Sequence, residues 1–220
     1  MALELSEVIV PYKEFYGKNT ERMPELIAEG RFPLSTAGIM ERRLHSTLSA
    51  WKDNYFDSDD AIVYGPENKF KIVRGAQFLR TLNPQSILSS GALAIGNEAY
   101  AGIDGAEFSR KDNGLIFERD LTLAEVKSHP VWQALVGDQA LLDEYAGRMF
   151  SEMKTRFGYD DAMGMYLASQ PKVANARALY VLWLEGRSRL SGRLDLVVDD
   201  GRLVGVAPEA HSAKILKVNH

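Results

Sequence analysis

In the stretch DQALLDEYAGRMFSEMKTRFG, residues 138–158, Leu142, Tyr145, Ala146, Met149, Phe150, Met153 and Phe157 recur at steps of three and four. That spacing predicts one apolar stripe of a helix. Asp138 is placed to cap the first turn, and Gly158 to end the helix in the left-handed conformation. Glu144, Arg148, Glu152 and Arg156 follow at intervals of four on the other face and read as solvated charge. Burying such a stripe is what stabilises a helix of this length, so the stripe reads as core.

Shorter helices are predicted over 20–29 and 35–45, the first with Pro24 in its opening turn and Gly30 at its end, the second capped by Ser35. Thr122 and Glu125 make the capping box of a further helix, which Pro130 interrupts, and another short helix is predicted over 160–171.

Strand patterns alternate with these helices. A strand is predicted over 3–10, and residues 61–65 and 69–74 read as a hairpin about GPEN, Phe70 and Ile72 on a buried face and Lys69 and Lys71 on a wet one. The pairs Gly96-Asn97, Asp104-Gly105 and Asn113-Gly114 predict a β-meander between 89 and 118. Residues 178–184, ALYVLWL, are apolar on both faces and predict a central strand in which Trp183 supplies much of the buried area. A last hairpin is predicted about Asp200-Gly201, joining 193–199 to 202–207, and the tail beyond it reads as an outer helix or strand. The expected fold class is therefore α+β: an antiparallel sheet built from hairpins, packed against the long amphipathic helix at 138–157, with shorter N-terminal helices. The chain reads as a single domain over 1–220, with a subdivision near residue 120 as the alternative.

Composition removes several chemistries. The 220 residues include no cysteine, which excludes disulfides, thiolate nucleophiles and cysteine-ligated metal. With 26 basic against 30 acidic residues the net charge is −4, so no global attraction to nucleic acid or anionic membrane is expected. No apolar run approaches the roughly 20 residues that cross a bilayer. The expectation is a soluble cytoplasmic protein without a membrane partner.

Three clusters carry candidate chemistry. Asp57, Asp59 and Asp60 could chelate a divalent metal, although no EF-hand glycine and glutamate follow them, and the bland reading is a solvated acidic loop before a strand. Arg187, Arg189 and Arg193 could hold an anion. Arg42, Arg43 and Lys52 would be phosphate contacts if the helices at 20–45 formed a helix-turn-helix-like pair. The four histidines, at 45, 129, 211 and 220, show no ligand spacing, and neither a phosphate-binding loop nor a G-x-S-x-G elbow is present. The function expected is a non-catalytic binding or protein-interaction module, with a protein partner or a homo-oligomer and no cofactor. The alternatives are a metal-dependent phosphoester hydrolase using Asp57, Asp59 and Asp60, and a DNA-binding module.

Overall fold

The computed structural model describes residues 12–112 and 114–208. The strand expected at 3–10, Asn113, His211, His220 and the tail beyond 208 lie outside the described residues. In chain order the elements are β1 (Tyr12–Tyr16), α1 (Asn19–Ala28), β2 (Phe32–Pro33), α2 (Thr36–His45), α3 (Ala50–Asp53), β3 (Phe56–Tyr64), β4 (Lys69–Val73), α4 (Gln77–Arg80), β5 (Leu88–Ser89) and β6 (Ala92–Ala94). They continue with α5 (Asn97–Gly102), β7 (Ala106–Ser109), α6 (Leu123–Ser128), α7 (Pro130–Val136), α8 (Gln139–Phe157), β8 (Met165–Leu167), β9 (Asn175–Val181), β10 (Leu190–Gly192) and β11 (Arg202–Val206).

The fold is α+β, as the pattern predicts, with a mixed and mostly antiparallel sheet. Its strand order is β1-β11-β3-β9-β10-β8, and the β11–β3 and β10–β8 pairs are parallel. On one face α2, α6, α7 and α8 bury Met40, Val126, Trp132 and Met149 against Ile62, Tyr64, Phe70 and Leu179. On the other, Met23 and Leu26 of α1 and Leu79 of α4 pack against Ala61, Ala178 and Leu203.

The long helix obeys its local signals. The Asp138 carboxylate accepts the Leu141 amide at 3.1 Å, and Gly158 ends the helix at φ 75°. The predicted stripe from Leu142 to Met153 is buried. Thr122 and Glu125 form the expected capping box, and Pro130 opens α7 at a position where a missing amide costs nothing. Among the described residues, no helix is long and apolar enough to cross a membrane.

Several expectations are corrected. The run DSDD is not a solvated loop but part of β3, all nine of whose residues are buried. Burial is tolerated because distant donors reach the acids, as described below. The expected meander is replaced by the small β5–β6 hairpin, the helix α5, and β7, which pairs with β4. Residues 193–199 form no strand, and β11 pairs instead with β1 and β3. The helix expected at 160–171 gives way to the strand β8. Trp183 is only half-buried, and the large indoles of the core are Trp51 and Trp132. Lys71 is buried rather than wet: its ammonium donates to Tyr100 O at 3.1 Å and Ile103 O at 2.7 Å, closing the carbonyl end of α5.

A candidate ligand-binding pocket

Between Asp57 and Ala61 the register of β3 against β9 shifts, leaving Ser58, Asp59 and Asp60 outside the ladder. A bulge of this kind re-aims side chains, and here it turns Asp60 toward the start of α2 and Asp59 toward Arg80 of α4. Asp60 Oδ2 accepts the Thr36 amide at 2.7 Å, and its Oδ1 accepts the Gly75 amide at 2.9 Å. An anion at a helix N-terminus is favourable, and this one ties α2 to the turn before α4. Asp59 accepts from the Arg80 guanidinium at 2.5 Å.

These groups floor a cavity of about 470 Å³, whose lining includes Tyr12, Glu41, Asp59, Asp60, Arg74 and Arg80. Asp59 Oδ1 is buried with no hydrogen-bond partner, and so is Arg80 Nε. Burial first, and then the Asp60 charge, push the Asp59 carboxyl up to about 6 against the pull of Arg80. Burial also raises Asp60, opposed by the Gly75 and Thr36 amides. Arg74 stands exposed at the rim and forms no ion pair among the described residues.

Asp57 does not join them. It is buried toward β11, where its Oδ2 accepts the Arg202 amide at 2.8 Å and lies beside Gly201. Among the described residues no group of three or more histidines or acids could hold a metal, so Asp57, Asp59 and Asp60 do not assemble as one ligand set.

Nor do the arginines form an open anion site. Arg187 pairs with Asp120 and Asp161, Arg189 grips Asp120 through two bonds of 2.8 and 2.6 Å, and Arg193 pairs with Glu118. Arg189 and Arg193 flank the Tyr166 ring at 5.2 and 5.3 Å.

The expected DNA-binding pair is corrected as well. The strand β2 intervenes between α1 and α2 and pairs with β11, and α2 buries Ile39, Met40, Arg43 and Leu44. Arg43 is fully buried, Lys52 is held by Glu152 at 2.6 Å, and Arg42 lies over Tyr12 and Trp51. A recognition helix needs free polar side chains, and here Arg43 is spent inside the protein while the partly exposed Arg42 and Lys52 are held by neighbouring rings and Glu152.

Sequence inspection found Asp59 and Asp60 but missed Arg74, Arg80 and Glu41. The signal available was the run DSDDAIVY, an acidic stretch continuous with an apolar one, which is read as a single strand once donors elsewhere are known.

No protein-family model matches this chain, and no curated protein matches it. Its structure is similar to a solved one described as "Accommodation of massive sequence variation in Nanoarchaeota by the C-type lectin fold". The TM-score is 0.66 at 16% sequence identity, over 91% of this chain and 100% of that one. At that identity the likeness speaks for architecture alone, and the chain has a C-type lectin-like fold.

Proposed function

We propose that this chain is a non-catalytic binding module, and that the pocket floored by Asp59 receives a cationic, hydrogen-bond-donating group of its ligand. The observation that carries this reading is Asp59 Oδ1, a buried carboxylate oxygen without a donor. Such an atom costs about 1–3 kcal/mol, which an incoming N–H recovers. The other polar groups serve shape: Arg80 fixes Asp59, both Asp60 oxygens are taken by backbone amides, and Ser35 Oγ accepts the Gly38 amide at 3.1 Å. Arg74 at the rim suits a carboxylate on the same ligand. The similar solved protein is described as accommodating massive sequence variation. A scaffold of that kind suits recognition, which supports a binding role here.

Calorimetry with L-arginine and agmatine as probes tests the reading. Binding is expected at pH 7.5, about tenfold weaker at pH 5 as Asp59 takes up its proton, and at least tenfold weaker in Asp59→Asn. An affinity indifferent to that substitution would sink the proposal.

A protein partner, including a second copy of the chain, is the second reading, and Tyr166 favours it. Its ring lies between two arginines beside Tyr180 and Leu182, and tyrosine and arginine dominate binding hot spots. Light scattering over a concentration series is expected to show self-association that Tyr166→Ser weakens. A monomer throughout would remove the second-copy form of this reading.

A further inference from the structure

A second cavity, of about 440 Å³, opens between the β5–β6 turn, the segment 168–173 and the start of β9. It shares no lining residue with the Asp59 pocket. Its polar wall includes Ser89, Ser90, Ser169, Lys172, Asn175 and Arg177, and none of its lining residues is acidic.

Asn175 points to a ligand. The residue is only 5% exposed, yet its side-chain Oδ1 has no hydrogen-bond partner. An amide can turn either its oxygen or its NH2 group to the cavity, so it can serve an oxyanion or a neighbouring hydroxyl. Two places along the same strand, Arg177 is 7% exposed and held in position. Its guanidinium donates to Arg193 O and Leu194 O, each at 3.0 Å, and to Ser90 O and Asp195, while Nε stays buried without a partner.

The charge around this cavity is positive. Burial pushes the Tyr64 hydroxyl up to about 12, and Arg110, Arg177 and Arg193 all pull against that. Asp195 answers Arg177 and Glu118 answers Arg193. Arg110 donates to Ala168 O, and neither it nor Lys172 forms an ion pair among the described residues. Glu118 also acts on Arg110, so Lys172 is the cation of the lining that forms no ion pair among the described residues, and it stands in a pocket of hydroxyls and amides. We infer that this cavity binds a small oxyanion, phosphate or a phosphate ester, with Lys172 supplying the charge that no carboxylate answers and Asn175 and the serines supplying hydrogen bonds.

The test is calorimetry at low salt with inorganic phosphate in one arm and glycerol 3-phosphate in the other. One-site saturation is expected, weakened about three- to fivefold by Lys172→Gln and about tenfold by Asn175→Ala, and left intact by Asp59→Asn. Tighter binding of the ester assigns an organic phosphate, and equal binding assigns the free ion. Lys172 is exposed, so K172Q keeps the test valid even where the Asn175 variant fails to fold. The absence of saturation, or affinities that neither substitution changes, overturns the assignment.

Discussion

Replacing Arg43 with leucine is expected to cost about 4 kcal/mol or more and to bring the protein close to unfolding. Arg43 has no exposed surface and no ion pair with a carboxylate among the described residues. Its guanidinium donates instead to Trp51 O and Asn54 O, each at 2.8 Å, to Val181 O at 3.4 Å, to the Tyr145 hydroxyl at 3.0 Å and to Ser188 Oγ at 3.1 Å. One side chain of α2 thereby fastens α3, the entry to β3, the end of β9, α8 and the loop before β10. Leucine would take the guanidinium donors from the carbonyls of Trp51 and Asn54, each at about 1–3 kcal/mol, and the weaker contact from Val181 O. Tyr145 and Ser188 would keep their mutual bond of 2.8 Å. Domains are stable by only about 5–15 kcal/mol in total, so the loss is a large share. Arg43→Lys, which reaches fewer acceptors, is expected to lose roughly half as much. Denaturant unfolding followed by fluorescence of the buried indoles reads both variants. A loss under about 1 kcal/mol for leucine would show that the carbonyls find other donors.

The second large effect is a stability that rises as pH falls from 8 toward 5, with Asp57 as its main source. Burial pushes the Asp57 carboxyl up to about 7 and the Asp200 charge adds to it, against hydrogen bonds from the Arg202 amide and Asn19 and the charge of Arg202. A carboxyl raised on folding contributes stability that is full below its unfolded value and is lost as pH rises through the folded one. For Asp57 that window runs from about pH 4 to pH 7, and three pH units correspond to on the order of 4 kcal/mol. Asp59, raised to about 6, acts in the same sense, and Glu14 is raised by burial too. His129, lowered by its own burial, opposes them below pH 6.5. The cleanest readout is therefore a difference: Asp57→Asn, which mimics the protonated acid, should match the parent near pH 4 and gain on it steadily up to pH 7, by about 2–4 kcal/mol at pH 8. Parallel pH profiles for the two proteins would refute the assignment.

Asp57 and Arg43 also mark where sequence reasoning stops. The long helix, its cap at Asp138, the box at Thr122 and Glu125 and the turn into β4 were legible because each signal sits within a few residues of its effect. The burial of Asp57, Asp59 and Asp60 was not, since their donors, the amides of Arg202, Thr36 and Gly75 and the Arg80 side chain, are remote in the chain. The same gap hid half of the candidate pocket: its acids form a visible run, whereas Arg74 and Arg80 join them only through the fold. Asn175 and Arg177 went unread because the apolar pattern of β9 announces itself only from Ala178 onward. Arg42, Arg43 and Lys52 erred in the opposite direction, since a basic cluster looks the same in sequence whether its charges meet solvent or the interior.

The pairing of β1 with β11 has a consequence for how the molecule is made. Tyr12 lies opposite Val206, so the first described strand to leave the ribosome has as its partner the last. β11 also lies beside β3, which makes two long-range closures wait for one late segment. Loop-closure entropy must be met before such contacts repay it, and chains dominated by them fold slowly. Until β11 arrives, β1 has no strand partner among the described residues and the Asp57 end of β3 shows a bare edge to other nascent chains, so synthesis itself sets the interval in which wrong pairing competes with right.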